Sequence, residues 1–178
     1  MTLPELSDTT DLRVGPEINP ALLGLLPLVG NWAGHGTVKI PATAEDKQYA
    51  QRVTFSHDGR PFLTYASHTW LLNPDGTVLR PAFRENGFWR VGPGEDDLEL
   101  VLATAAGIVE VFKGVAGHLR WELLTTAVGI TPTAKTVSGE RRLYALVDES
   151  LVYAQELAIE PGDFRPHLNA RLSRERGQ

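Results

Sequence analysis

Short runs of alternating apolar and polar residues cover most of the chain, and turn residues separate them. Residues 168 to 173, for example, read Leu-Asn-Ala-Arg-Leu-Ser, which has the two-residue period of a half-buried strand. Similar runs recur from the first tryptophan onward. The pattern predicts about ten strands, over residues 28–36, 49–55, 61–72, 77–90, 98–103, 108–113, 119–124, 134–147, 151–158 and 168–173.

No helical periodicity interrupts these strands, and tight turns such as Asp58-Gly59 connect them. Regular short strands of this kind favour an antiparallel barrel or a sandwich, and a barrel is preferred because closure removes the edge strands. We therefore predict an all-β, ten-stranded antiparallel up-and-down β-barrel, similar to lipocalins and fatty-acid-binding proteins. Gly87 suggests a β-bulge, and a barrel of this size encloses a ligand cavity.

The N-terminal region differs from the rest in its pattern. Residues 1–18 are polar and aperiodic, so a flexible tail is expected before a barrel domain at residues 19–178. Asn19-Pro20 reads as an N-cap followed by proline in the first helical turn, which predicts a short helix ending near Leu26. Such a helix is too short to be stable alone, so it is expected to cover an open barrel end.

Composition and charge exclude several classes of function. The chain has 178 residues and no cysteine, which excludes disulfides, zinc fingers, iron–sulfur clusters and thiolate haem ligation. A net charge of −5 argues against nucleic-acid or anionic-membrane partners. The sequence shows neither a membrane-length apolar run nor a signal peptide, so we expect a cytoplasmic protein, either a monomer or a homodimer.

Glycines cluster in the first predicted strand. With strand spacing Gly30, Trp32, Gly34 and Gly36 share one face, while His35 points to the other. Glycines on an inward face make room for a large ligand, or they mark a strongly bent strand at the barrel closure. Both interpretations stay open at this point.

His167 is the candidate metal ligand, because a neutral imidazole at a barrel mouth binds iron or zinc well. On spacing alone, a solvated surface histidine is the commoner outcome. A straight strand would also place His167 on the polar face with Asn169. It can turn inward only if the turn between Pro161 and Pro166 breaks the alternation before the strand begins.

Other ionisable residues are weaker candidates. Lys135 is predicted to start a strand at the barrel rim, where it could pair with an anionic ligand group. His68 lies in the middle of a strand and could face the cavity. Residues expected to be solvated are His57, His118, Glu99, Glu110 and Glu122. No catalytic side chain is assigned, because the sequence contains no P-loop, dinucleotide, nucleophile-elbow or zinc-protease motif.

The segment Gly30-Asn-Trp-Ala-Gly-His-Gly36 resembles the Gly-x-Trp-x-Gly-x-Gly signature of the nitrobindin family. The resemblance extends over roughly residues 20 to 174 in the family's order. Its further segments are Gly59-Arg-Pro-Phe-Leu-Thr-Tyr65, Glu85-Asn-Gly-Phe-Trp-Arg90, Ala106-Gly-Ile-Val-Glu110, Pro132-Thr-Ala-Lys135 and Pro166-His-Leu168.

The resemblance implies a ten-stranded barrel that binds one haem b per chain, with His167 as the axial iron ligand and Lys135 at a position linked to haem binding. It also implies ferric iron that binds nitric oxide and isomerises peroxynitrite to nitrate. Family members often have Tyr-Pro-Thr-Ile after the signature strand, with the threonine near the haem. Here the chain reads Ile40-Pro-Ala-Thr-Ala44, so Thr43 is shifted by one position.

A second function from a different class stays open beside the haem enzyme. Another branch of the family lacks the axial histidine and is regarded as nitrobindin-like, without an established haem. The alternative is therefore a haem-free barrel that carries a small apolar molecule such as a fatty acid. The presence of His167 favours the haem protein.

Overall fold

The structure is a computed structural model, and it describes residues 8–39 and 46–175. Its strands are β1 Gly30–Lys39, β2 Asp46–Ser56, β3 Phe62–Leu72, β4 Val78–Val91, β5 Asp97–Thr104, β6 Ile108–Gly117, β7 Arg120–Ile130, β8 Gly139–Val147, β9 Ser150–Ala158 and β10 Phe164–Arg174. Each strand pairs antiparallel with its neighbours in the chain, and β1 also pairs with β10. The ten-stranded closed antiparallel barrel predicted from the alternation is thus confirmed.

The predicted bulge in β4 is wrong. Gly87 is not at a bulge, since it pairs in regular register with Tyr65 and Leu102. The irregularity lies further along, where the β3–β4 register shifts between His68 and Trp70. Gly87 instead allows the backbones of β4 and β5 to approach closely, because a Cβ there would collide with the backbone of β5.

The predicted N-terminal helix is replaced by two 3-10 turns, Pro20–Leu22 and Leu26–Leu28. Asn19 is the N-cap of the first turn, as the sequence suggested, and its side chain accepts a hydrogen bond from the Ala21 amide at 3.0 Å. The second proline of the segment, Pro27, lies inside the second turn, just after the predicted end of the helix at Leu26. Proline has no amide to donate to a preceding carbonyl, which favours a separate short turn here.

The two turns cover one end of the barrel, called here the closed end. Their leucines Leu22, Leu25 and Leu28 are essentially inaccessible and join the main apolar core. Two tryptophan indoles fix the turns in place. Trp32 donates to the Leu28 carbonyl and Trp121 donates to the Gly24 carbonyl, each at 2.8 Å.

The segment before the turns also contacts the barrel. Thr9 forms an isolated β-bridge with His57, and Asp8 accepts a hydrogen bond from the Ser56 hydroxyl at 2.9 Å. His57 was expected to be solvated, and that expectation is wrong: it is fully buried, and neither ring nitrogen has a hydrogen-bond partner in the structure. The boundary between a tail and a domain at residue 18 stays a prediction.

The other end of the barrel, called here the mouth, is where β1 finishes at Lys39 and β10 starts at Phe164. Between the closed end and the mouth the interior changes from aromatic and aliphatic side chains to a layer of hydrogen-bonded polar ones. Across residues 8–39 and 46–175, no helix has the length and apolar character needed to span a membrane.

Candidate functional site

His167 lies in a β-bulge at the mouth. In the β9–β10 ladder Pro166 pairs with Glu156 and Leu168 pairs with Gln155, so His167 is the extra residue between them. A bulge breaks the alternation of the strand, and His167 and Leu168 are consequently both half-buried, although they are adjacent. The bulge explains how His167 can turn inward although a straight strand would place it on the polar face, because the alternation is interrupted just before the regular part of β10.

The environment of His167 favours the neutral imidazole. Burial lowers the pKa of His167, a backbone hydrogen bond with Lys39 acts in the opposite direction, and the positive charge of Arg142 lowers the pKa further. A neutral imidazole has a free lone pair for a metal ion, and a backbone partner on the other nitrogen would fix the orientation of the ring. His167 therefore has the chemistry of an axial ligand.

The remaining four histidines do not share this setting. His35 is exposed on the outer face of β1, as expected, and His118 is exposed beside the β6–β7 turn. His68 is half-buried on β3, with its ring centroid 6.2 Å from that of Trp70. Its neighbour Ser67 takes the inward position, so His68 faces outward.

Apolar side chains surround the mouth. Val38 and Leu168 form a cross-strand pair and are half-buried, and Leu71 on β3 is buried. Across the mouth from β10, the first half of β4 is exposed throughout, including the apolar residues Val78, Leu79 and Phe83. An exposed apolar group beside a half-buried imidazole fits the edge and faces of a porphyrin. The residues present at the mouth therefore suit a haem group.

Lys135 lies in the eight-residue connection between β7 and β8, at the mouth end of both strands, and is exposed. The prediction that it starts a strand is wrong, because β8 begins at Gly139. Thr43 and the segment around it lie outside the residues that the structure describes.

The glycine face of β1 is occupied by protein. A Cβ on Gly34 would collide with the Arg171 carbonyl, and one on Gly36 would collide with the Asn169 carbonyl and lie 2.6 Å from the Tyr49 ring. Gly30 has a φ of +146° and lies under the Arg174 guanidinium, which also stacks on Trp32 at 4.1 Å. The structure therefore places Gly30 and Trp32 at the closed end and does not bring them together with His167.

A buried polar layer that the sequence analysis missed lies inside the barrel. Arg142 donates to both carboxylate oxygens of Glu85, at 2.8 and 3.1 Å, and through Nε to Glu140 at 2.8 Å. Tyr65 donates to Glu85 at 3.0 Å, and Glu110 accepts from Thr125 at 3.1 Å. We call Glu85, Glu110, Glu140 and Arg142 the carboxylate cluster.

The expectation that Glu110 is solvated is wrong, since it is 1% exposed. The sequence contained a signal for this position. Ile108 and Phe112 lie two residues on either side of Glu110, so a two-residue period places all three side chains on the same inward face. The prediction put Glu110 on the water-facing side of this alternation, which is the wrong face of the strand.

A second chain of polar contacts runs from the cluster's level toward β10. Ser67 accepts from Gln51 at 2.8 Å, Gln51 accepts from the Tyr153 hydroxyl at 2.6 Å, and Tyr153 lies 3.0 Å from the Tyr49 hydroxyl. Tyr49 ends the chain by donating to the Asn169 carbonyl at 3.0 Å. These contacts satisfy the polar groups below the mouth and hold the surrounding side chains in place.

Comparisons with known proteins identify the family of this barrel. Residues 21–174 match the family model described as "THAP4-like, heme-binding beta-barrel domain". The chain is 44% identical over 171 residues to a protein named peroxynitrite isomerase from Salinispora arenicola, with 94% of this chain and 87% of that protein covered. It is 43% identical over 174 residues to a ferric nitrobindin-like protein from Saccharopolyspora erythraea, with 97% and 82% covered.

A solved structure gives the same result for the fold. The crystal structure of Rv2717c from M. tuberculosis superposes with a TM-score of 0.78 at 35% identity, covering 90% of this chain and 100% of that chain.

Proposed function

Because the chain belongs to the THAP4-like, heme-binding beta-barrel (nitrobindin) family, we propose that it binds one haem b at the barrel mouth and isomerises peroxynitrite to nitrate. His167 is the axial ligand of the iron in this proposal. The observation that carries it is the β10 bulge, which turns a neutral imidazole into the mouth against the alternation of the strand. A fully solvated surface histidine would need neither the bulge nor the burial.

The residues of this chain have three roles in the proposed site. His167 supplies a nitrogen ligand on one face of the haem. The apolar side chains of the mouth exclude water, and the bulge fixes the direction of the imidazole. When bound, ferric haem supplies a Lewis acid that polarises the peroxide bond of an anionic ligand, and the protein contributes binding and orientation.

Lys135 completes the proposal at the rim. The porphyrin of haem b has two carboxylates at one edge, and an exposed lysine in the β7–β8 connection could pair with one of them. A solvent-exposed pair of this kind contributes at most about 1 kcal/mol, so Lys135 tunes the affinity without determining it.

The direct test replaces His167 with alanine and titrates the haem-free protein with haem. We expect haem affinity to fall by more than about tenfold, because even a residue that only hydrogen-bonds to a metal ligand is worth that much. The ferric absorbance spectrum should lose the features of histidine ligation, and conversion of peroxynitrite to nitrate should fall in parallel. His35→Ala is the matched control, since His35 is exposed on the outer wall of the neighbouring strand.

Two outcomes would contradict the proposal in different ways. An unchanged affinity and spectrum in His167→Ala would remove His167 as the ligand. A wild-type protein that takes up no haem at all would favour the haem-free carrier of a small apolar molecule, and binding of a fluorescent fatty acid would then be the next measurement. A cytoplasmic location and the choice between monomer and homodimer stay predictions.

A further inference from the structure

The carboxylate cluster contains more negative than positive groups. Three carboxylates surround one guanidinium, and all four side chains are nearly inaccessible, from 1% for Glu110 to 9% for Glu140. Removing a charge from water without a partner costs several kcal/mol, and a buried carboxyl group commonly stays protonated instead. Within the described residues, no group of three or more His, Asp and Glu side chains is arranged to hold a metal ion. A proton is therefore the natural positive partner for the surplus carboxylate.

The contacts identify the carboxyl group that holds this proton. Arg142 gives two donors to Glu85 and further donors to Glu140, so both of these carboxylates are paired with a cation. Among the residues that the structure describes, the only hydrogen-bond donor to the Glu110 side chain is the Thr125 hydroxyl. Burial, followed by the negative charge of Glu140, raises the pKa of Glu110 from 4.5 to about 7.

The neighbouring charged and polar groups act on Glu110 in opposite directions. Glu140 and Glu85 raise the pKa of Glu110, whereas Arg142 and the Thr125 hydrogen bond lower it, and burial decides the net rise. Burial also raises the pKa of Glu140, but Arg142 acts against that shift through both charge and hydrogen bonding. The guanidinium donates to Glu85 and Glu140, so Glu110 is the carboxyl group that holds the proton.

The cluster is electrostatically coupled to the mouth. Arg142 on β8 pairs with Gln155 on β9, and Gln155 pairs with Leu168 on β10, next to the bulge. This row of paired residues on three adjacent strands joins the cluster to the His167 region. Adjacent strands lie about 4.8 Å apart, which puts Arg142 and Leu168 about 10 Å apart along the ladder. The charge of Arg142 already acts on His167 over this span.

The β7–β8 pairing ends beside Glu110. It covers residues 120–124 of β7, which itself continues to Ile130, because β8 begins at Gly139. Just beyond Leu124, the Thr125 hydroxyl accepts from the Glu140 amide at 2.9 Å and lies 3.2 Å from the Glu140 carbonyl. Thr125 therefore contacts both Glu110 and the start of β8.

We infer that Glu110 is a proton-holding site beneath the ligand cavity, and that its proton is retained when an anionic ligand occupies the mouth. An anion entering the barrel would otherwise meet a net negative cluster, so binding and protonation favour each other. A neutral ligand such as nitric oxide lacks this linkage. The linkage to ligand binding rests on the proposed function, whereas the proton-holding site itself does not.

The first experiment uses haem-free protein, so its outcome is independent of haem binding. Infrared difference spectra between about pH 6 and about pH 8 should show the loss of a protonated carboxyl band in the wild type. Glu110→Gln should remove that band, while Glu122→Gln, which alters an exposed carboxylate on β7, should keep it. A band that persists in Glu110→Gln and disappears in Glu140→Gln would overturn the assignment to Glu110, and the absence of any band in the wild type would overturn the site.

The second experiment measures azide binding to the ferric haem-loaded protein by absorbance. Azide affinity should fall by about tenfold more between about pH 6 and about pH 8 in the wild type than in Glu110→Gln, because the amide stays neutral throughout. Nitric oxide should show no such difference between the two proteins. Equal pH dependence of azide binding in both proteins would overturn the linkage, and thermal unfolding of Glu110→Gln confirms that the variant is folded.

Discussion

At the scale of single residues, Glu110, His57 and His167 are the ionisable side chains that the barrel draws out of water. Glu110 occupies an inward position of β6, and His57 is buried just beyond the end of β2, where it bridges Thr9. A strict two-residue period would have placed His167 outside, and the bulge in β10 moves it in. A bulge inserts one residue without changing composition, so the sequence indicated it only through the flanking prolines.

Glu110 also affects stability in a pH-dependent way. Its pKa is raised in the folded protein, so the folded state binds more protons than the unfolded state between about pH 4.5 and about pH 7. The favourable contribution is complete below that window and is lost as the pH rises through it. Urea unfolding should show wild-type stability declining over this range, and Glu110→Gln should decline less. An identical slope in the two proteins would mean that Glu110 titrates normally.

The glycines of β1 provide a second prediction at this scale. Gly34→Ala should destabilise the barrel by about 1–3 kcal/mol, because the new Cβ would collide with the Arg171 carbonyl across the β1–β10 pair. Gly129→Ala on β7 is the control, since its nearest neighbour is 4.0 Å away. Thermal melts of both variants give the comparison. Equal stabilities of the Gly34→Ala and Gly129→Ala variants would support the interpretation that the glycines of β1 make room for a ligand.

At the scale of elements, strand number and order were predictable, whereas the ends of the barrel were not. Alternation placed all ten strands, but β8 begins at Gly139 and not at Ala134, because residues 131–138 form the connection between β7 and β8. The N-terminal helix was overpredicted because its cap and leucines suit a helix. Pro27 and the contacts with the two tryptophans favour separate turns instead.

The turns at the closed end should matter for stability and not for the mouth. Leu25→Ala removes a 1% exposed side chain from the core and should cost about 2–5 kcal/mol. Leu23→Ala changes the same residue type in the same segment, but Leu23 is 68% exposed, so the loss should stay within about 0.5 kcal/mol. Denaturant midpoints measure the difference. A weakened haem affinity at full folding in Leu25→Ala would show that the closed end reaches the ligand site.

At the scale of the whole molecule, the barrel separates two environments. One end is sealed by apolar turns, and the other combines an exposed apolar wall, a neutral imidazole and, beneath them, a polar layer with a surplus carboxyl group. The sequence predicted the closed barrel and the candidate ligand. It could not predict the polar layer, because Glu85, Glu110 and Glu140 meet Arg142 only after the three strands β4, β6 and β8 have been brought together by closure.

The seam between β1 and β10 has a consequence for how the molecule is made. These two strands lie at opposite ends of the chain, and seven residue pairs join them, from Trp32 with Arg174 to Val38 with Leu168. Contacts between such distant positions are costly in loop entropy and form late in folding. His167 belongs to the last strand of the barrel to leave the ribosome, so nascent chains expose both seam edges until β10 has been synthesised. The candidate site around His167 is thus assembled when the barrel closes, and every earlier stage remains open to pairing with the wrong strand.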